Sequence, residues 1–174
     1  MTDIRYPIGK AELKSTITSE ERSALIKQIE EAPARLREAV RGLTEQQLDV
    51  PYREGGWTCR QQVHHLVDSH INSYTRFKLA LTEINPTIKP YEEDLWAELI
   101  DGKSSPVEPS LLLLESLHFR WVMFLRSLKT EDFARTVVHP VNGPINLDRL
   151  LQIYAWHGRH HTAHVLALRE RMGW

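Results

Sequence analysis

The sequence predicts an all-α fold, a four-helix bundle with short accessory helices and a small hairpin, in one domain over residues 1–174. Three observations carry this. Apolar residues recur at helical spacing in four long stretches. Capping-box patterns precede two of them. A weak internal repeat then pairs the stretches: Arg41-Gly-Leu-Thr-Glu45 followed by Leu48 resembles Arg126-Ser-Leu-Lys-Thr-Glu131 followed by Phe133. Each copy precedes a loop and a helix with adjacent histidines, His64-His65 and His160-His161, so the two histidine-bearing helices should meet.

The first helix opens at Thr18-Ser19-Glu20-Glu21 and carries Leu25, Ile26, Ile29, Leu36, Ala39 and Val40 on its apolar side. Pro33 lies inside it and should kink or split it. Pro51 to Gly56 is a loop, and Thr58-Cys-Arg-Gln61 caps a second helix with Val63, Val67, Ile71, Tyr74, Phe77 and Leu81. Pro86 and Pro90 end it. Tyr91 to Ile100 reads as a short helix, and Asp101 to Pro109 as a polar linker. A third long helix starts near Ser110, with Leu114, Leu117, Trp121, Phe124, Leu125 and Leu128 as its stripe. Asn142-Gly143 between β-branched stretches suggests the hairpin, and Asn146 caps a last helix from Leu147 to Met172.

With 22 Lys+Arg against 23 Asp+Glu in 174 residues, the chain lacks the excess positive charge that phosphate-driven nucleic-acid binding requires. No apolar run approaches bilayer length, and no signal-peptide core precedes Lys10. A single cysteine, Cys59, excludes an internal disulfide and agrees with a cytoplasmic location. At the start of the second helix its main expected role is packing.

The unusual feature is nine histidines, four of them within eight residues: His157, His160, His161 and His164. Residues four apart share a helix face, so His157/His161 and His160/His164 are each spaced to reach one cation. Buried imidazoles need partners for both nitrogens, and a metal satisfies several rings at once. Periodicity leaves His64, His65 and His70 as competing contributions from the second helix; His70 falls in the apolar stripe, His65 on a polar stripe with Ser69, Asn72 and Arg76. Neither histidine pair of the last helix has the Glu of a His-Glu-x-x-His protease helix. Glu115-Ser-Leu-His118 is a single Glu-x-x-His where a di-iron bundle needs two, and reads as helix surface or an interhelical hydrogen bond. A mononuclear histidine site fits best.

Tyr6-Pro-Ile-Gly9, Pro51-Tyr-Arg53, Gly55-Gly-Trp57-Thr58, Val63-His-His-Leu66, Asp68-Ser-His70, Asn72-Ser-Tyr74, Trp156-His157, His160-His161, Ala163-His164 and Arg171-Met-Gly-Trp174 together resemble the YfiT family of the DinB-like four-helix superfamily. The resemblance implies a metal-dependent hydrolase, a homodimer acting on a small molecule, with one zinc or nickel ion per subunit held by His65, His160 and His164. His157, His161, Asn72 and Arg76 would then surround the ligands, and Asp68 is the candidate catalytic carboxylate. Three histidines leave a coordination position open, the pattern of catalytic sites. That position could activate water or instead a low-molecular-weight thiol for transfer to electrophiles, as some superfamily members do. A third alternative is a non-catalytic module stabilised by metal.

Overall fold

The structure is a computed structural model and describes residues 3–174; Met1 and Thr2, the first residues of the expected single domain, lie outside the described residues. Four long helices dominate: α1 (Ser19–Val40), α3 (Cys59–Thr82), α6 (Val107–Ser127) and α7 (Leu147–Met172). Short helices α2 (Glu45–Leu48), α4 (Glu93–Ala97) and α5 (Ile100–Ser104) fill the connections. The expected capping boxes at Thr18 and Thr58 both form, and Asn146 accepts the Arg149 N–H to start α7 at Leu147. A further box at Thr44 opens α2. The hairpin pairs β1 (Thr136–His139) with antiparallel β2 (Gly143–Asn146), with Gly143 at φ 71° supplying the turn.

Helices α1 and α3 each pack against both α6 and α7, so the bundle order around its axis is α1, α6, α3, α7. The two histidine-bearing helices, α3 and α7, are therefore neighbours. Trp121, Phe77, Ile29 and Leu147 anchor one apolar cluster, and Leu36, Leu66, Leu114 and Leu168 the other. Between these clusters α3 and α7 carry polar residues into the interior: His65, His70, His160, His161 and His164 are all buried.

Two expectations change. Pro33 neither splits α1 nor ends it; the helix runs unbroken to Val40 with Pro33 buried. The missing N–H is offset elsewhere, because the Ile29 carbonyl one turn back accepts a hydrogen bond from His118 Nδ1 at 2.6 Å. The expected linker from Asp101 to Pro109 is mostly helical, with α5 running into it from Ile100 and α6 starting at Val107, where Pro109 sits harmlessly in the first turn.

Gly158 sets how closely α7 approaches α1. A Cβ there would lie 3.1 Å from Ala32 Cβ and 3.6 Å from His70 Cε1. Gly158→Val should overpack this crossing and cost about 1–3 kcal/mol, more than its gain in helix propensity. The check is a lower urea midpoint at unchanged m-value.

Candidate metal centre

Near one end of the α3–α7 pair, an open cavity of about 420 Å³ is lined by His65, His157, His160, His161 and His164, with aromatic walls from Tyr6, Tyr52, Trp57 and Trp156. The loop before α3 forms one wall. Its Pro51 and Thr58 pair as a β-bridge, Tyr52 N–H donates to the Trp57 carbonyl at 3.0 Å, and Gly56 has no room for a Cβ against the Tyr52 ring. The Trp57 ring covers His65, with centroids 4.3 Å apart.

Three imidazoles converge in the cavity, and they are His65, His157 and His161. His157 Nε2 lies 3.3 Å from His65 Nε2 and 3.1 Å from His161 Nε2. Of the histidines expected as ligands, the structure brings only His65 into this group. His160 and His164 occupy the same cavity but turn toward other partners. His160 stacks on Trp156 at 4.2 Å, and His164 stacks on Tyr52 at 4.0 Å while its Nε2–H donates to the Arg5 carbonyl at 3.1 Å. Their Nδ1 atoms are buried without hydrogen-bond partners. The physical reason is rotational. Both pairs on α7 have the same spacing, but only 157/161 faces α3, while 160/164 faces the loop and the N-terminal segment.

Burial keeps these rings neutral. It lowers His65 to about 4, and holds His157 and His161 well below the usual histidine value, helped by the other rings nearby. Neutral imidazole is the form that ligates. The donor set also fits a small divalent ion by distance. Nitrogens about 2.0–2.1 Å from one tetrahedral zinc stand about 3.3 Å apart, close to the separations found here. The outer nitrogens are held: His161 Nδ1 meets Gln62 Oε1, and His157 Nδ1 lies 3.2 Å from His70 Nε2.

The remaining sequence candidates are placed elsewhere. Asp68 is not among the cavity-lining residues; burial, with Asp101 nearby, raises it to about 6. Asn72 donates to the Asp68 carbonyl and Arg76 to the Tyr154 hydroxyl at 3.0 Å, and neither lines the cavity. His64 is satisfied between Ser110 and the Ser105 carbonyl, joining α3 to the start of α6. Cys59 is fully buried, and burial pushes its thiol up to about 11, against any nucleophilic role. The carboxylates that do line the cavity are Glu93 and Asp94, at the start of α4. Burial, with Asp94 and Glu92 adjacent, raises the Glu93 carboxyl. No local pattern in the sequence separated Glu93 from the acidic run around it.

Fold and donor set together define the class, a four-helix bundle with a three-histidine candidate metal centre. The chain belongs to the DinB superfamily, whose family model matches residues 28–165. It is 57% identical over its full length, and the relative's full length, to a protein of Bacillus cereus (strain 03BB102) named "Putative metal-dependent hydrolase", and equally so to one of the same name from Bacillus anthracis (strain A0248). Among solved structures it is similar to YfiT from Bacillus subtilis, described as a probable metal-dependent hydrolase with an unusual four-helix bundle topology. That match has a TM-score of 0.96 and 49% identity, covering 98% of each chain. The four-helix bundle protein TT2238 shares the fold at 18% identity and a TM-score of 0.55, over 88% of this chain and 99% of the other. Among the described residues no helix is long and apolar enough to cross a membrane.

Proposed function

We propose that this protein is a metal-dependent hydrolase in which His65, His157 and His161 hold one divalent cation, zinc or nickel. The observation that carries the reading is the convergence of three neutral imidazole nitrogens, 3.1 and 3.3 Å apart, on the wall of an open cavity. The names of the relatives agree with it. A cation held by three histidines supplies Lewis acidity and a lowered water pKa at its remaining position. The chain supplies the rest. Glu93, a cavity-lining carboxyl that burial raises, would serve as general base toward the attacking water and then as general acid toward the leaving group. Trp57, Tyr52 and Trp156 wall the site and limit its occupant to a small molecule, which a cavity of about 420 Å³ suits. Homodimerisation belongs to the same proposal. The exposed Leu112, Phe119 and Met123 on α6 favour it, and a light-scattering mass equal to one chain refutes it.

The test is a panel of esters and amides, run beside thiol-plus-electrophile pairs, on metal-free protein reloaded with zinc or nickel. Metal-dependent hydrolysis that disappears on chelation is expected. Thiol consumption without hydrolysis assigns the site to thiol transfer instead, and failure to take up either metal refutes the centre.

A further inference from the structure

Behind the three converging rings lie two more histidines. His118 on α6 and His70 on α3 are completely buried, stacked 4.9 Å apart at an interplanar angle of 9°. Neither lines the cavity. They connect His157 on α7, through α3 and α6, to a backbone carbonyl on α1. His118 Nδ1 lies 2.6 Å from Ile29 O, His118 Nε2 lies 2.8 Å from His70 Nδ1, and His70 Nε2 lies 3.2 Å from His157 Nδ1.

The direction of every proton in this chain follows from its end. A carbonyl oxygen only accepts, so His118 must carry its proton on Nδ1. A neutral ring has one N–H, which leaves His118 Nε2 as an acceptor. His70 therefore donates from Nδ1, and its own Nε2 accepts from His157 Nδ1–H. His157 is left with a lone pair on Nε2, pointed at the cluster. His161 reaches the same state by a shorter route, donating from Nδ1 to Gln62 Oε1. Two lone pairs then face each other at 3.1 Å, an arrangement that repels unless a cation lies between them.

The carbonyl at the end of the chain is also unusual. In an uninterrupted helix Ile29 O would accept from the N–H of residue 33, and residue 33 is proline. The acceptor is thus left open for His118.

We propose that His118 and His70 are positioning residues that, anchored on the Ile29 carbonyl, fix His157 in the Nδ1-protonated form and present its Nε2 lone pair for metal binding. The proposal rests on the metal-dependent reading for its purpose, but not for its geometry. Nitrogen-15 NMR of the metal-free protein reads the tautomer directly. His157 should show a protonated Nδ1 and an unprotonated Nε2. His118→Phe keeps a flat ring but removes both hydrogen bonds; it should give mixed tautomers at His157 and weaken zinc or nickel binding roughly 10–100-fold. His118→Gln offers one acceptor and one donor on a planar group, and should restore a single tautomer and most of the affinity. A His157 protonated on Nε2 in the wild-type protein overturns the relay, as does His118→Phe with tautomer and affinity unchanged. Should His118→Phe not fold, the wild-type spectrum still decides. If the spectrum shows the ordered tautomer and the protein binds neither metal, the relay stands and the proposed function fails.

Discussion

Replacing His157 or His161 with alanine is expected to reduce divalent-metal affinity by roughly 100-fold or more and to abolish metal-dependent turnover, whereas His160→Ala and His164→Ala keep the metal. Removing a ligand should cost more than removing a group that only supports one, for which losses of about 10–100-fold are usual. The contrast matters because both pairs lie four apart on α7 and both lie in the same cavity. Only the 157/161 pair brings its nitrogens to His65. Isothermal titration of zinc into the four metal-free variants checks it. Metal binding retained by His157→Ala and His161→Ala but lost in His160→Ala and His164→Ala would return the centre to His65, His160 and His164. The neutral outcome for His160 and His164 concerns the metal alone; both rings line the cavity, so turnover of a bulky substrate is expected to change.

The second large effect is acid sensitivity of the metal-free protein. Burial lowers His65, His118 and His160 to about 4, and holds His70, His157 and His161 well below the usual histidine value. The unfolded chain protonates these rings near pH 6.5. Between about pH 6.5 and 4, unfolded rings therefore bind protons that folded rings refuse, so stability falls as pH falls through that window and is complete above it. Each ring contributes a slope of up to about 1.4 kcal/mol per pH unit. These contributions share one sign, so the urea midpoint should fall on going from pH 7 to pH 5. Urea denaturation at pH 7 and pH 5 measures this directly. A midpoint that does not move would mean the rings are not buried neutral. Bound metal should push the transition to lower pH, since it binds the folded state alone.

The histidines show what each level of description decides. Apolar spacing, the Thr18 and Thr58 boxes and the Asn146 cap determined the four long helices, including the full span of α7, because these signals act within a turn or two of helix. The same local rules placed a kink or a split at Pro33; α1 does not split there, and the Ile29 carbonyl that Pro33 leaves open is met by a side chain 89 residues away. They also read Asp101 to Pro109 as linker, where packing of α5 against α3 makes helix.

The candidate site divides the same way. Its chemistry was legible in nine histidines and their spacing, and the polar stripe on α3 did contain the residue that enters the cavity, His65. It did not reveal that Asn72 and Arg76 on that stripe bond elsewhere, or that Asp68 lies off the cavity wall while Glu93 lies on it. Glu115-x-x-His118 divides as expected between helix surface and an interhelical hydrogen bond, the latter from His118 to the Ile29 carbonyl. Glu115 stays exposed, 3.7 Å from Arg37, while His118 is buried beneath the centre. The sequence by itself determined the elements and the donor chemistry, since both are set by neighbours along the chain. Which donors meet was left to the rotation of α7 against α3, a property of packed surfaces that a four-residue repeat leaves undetermined.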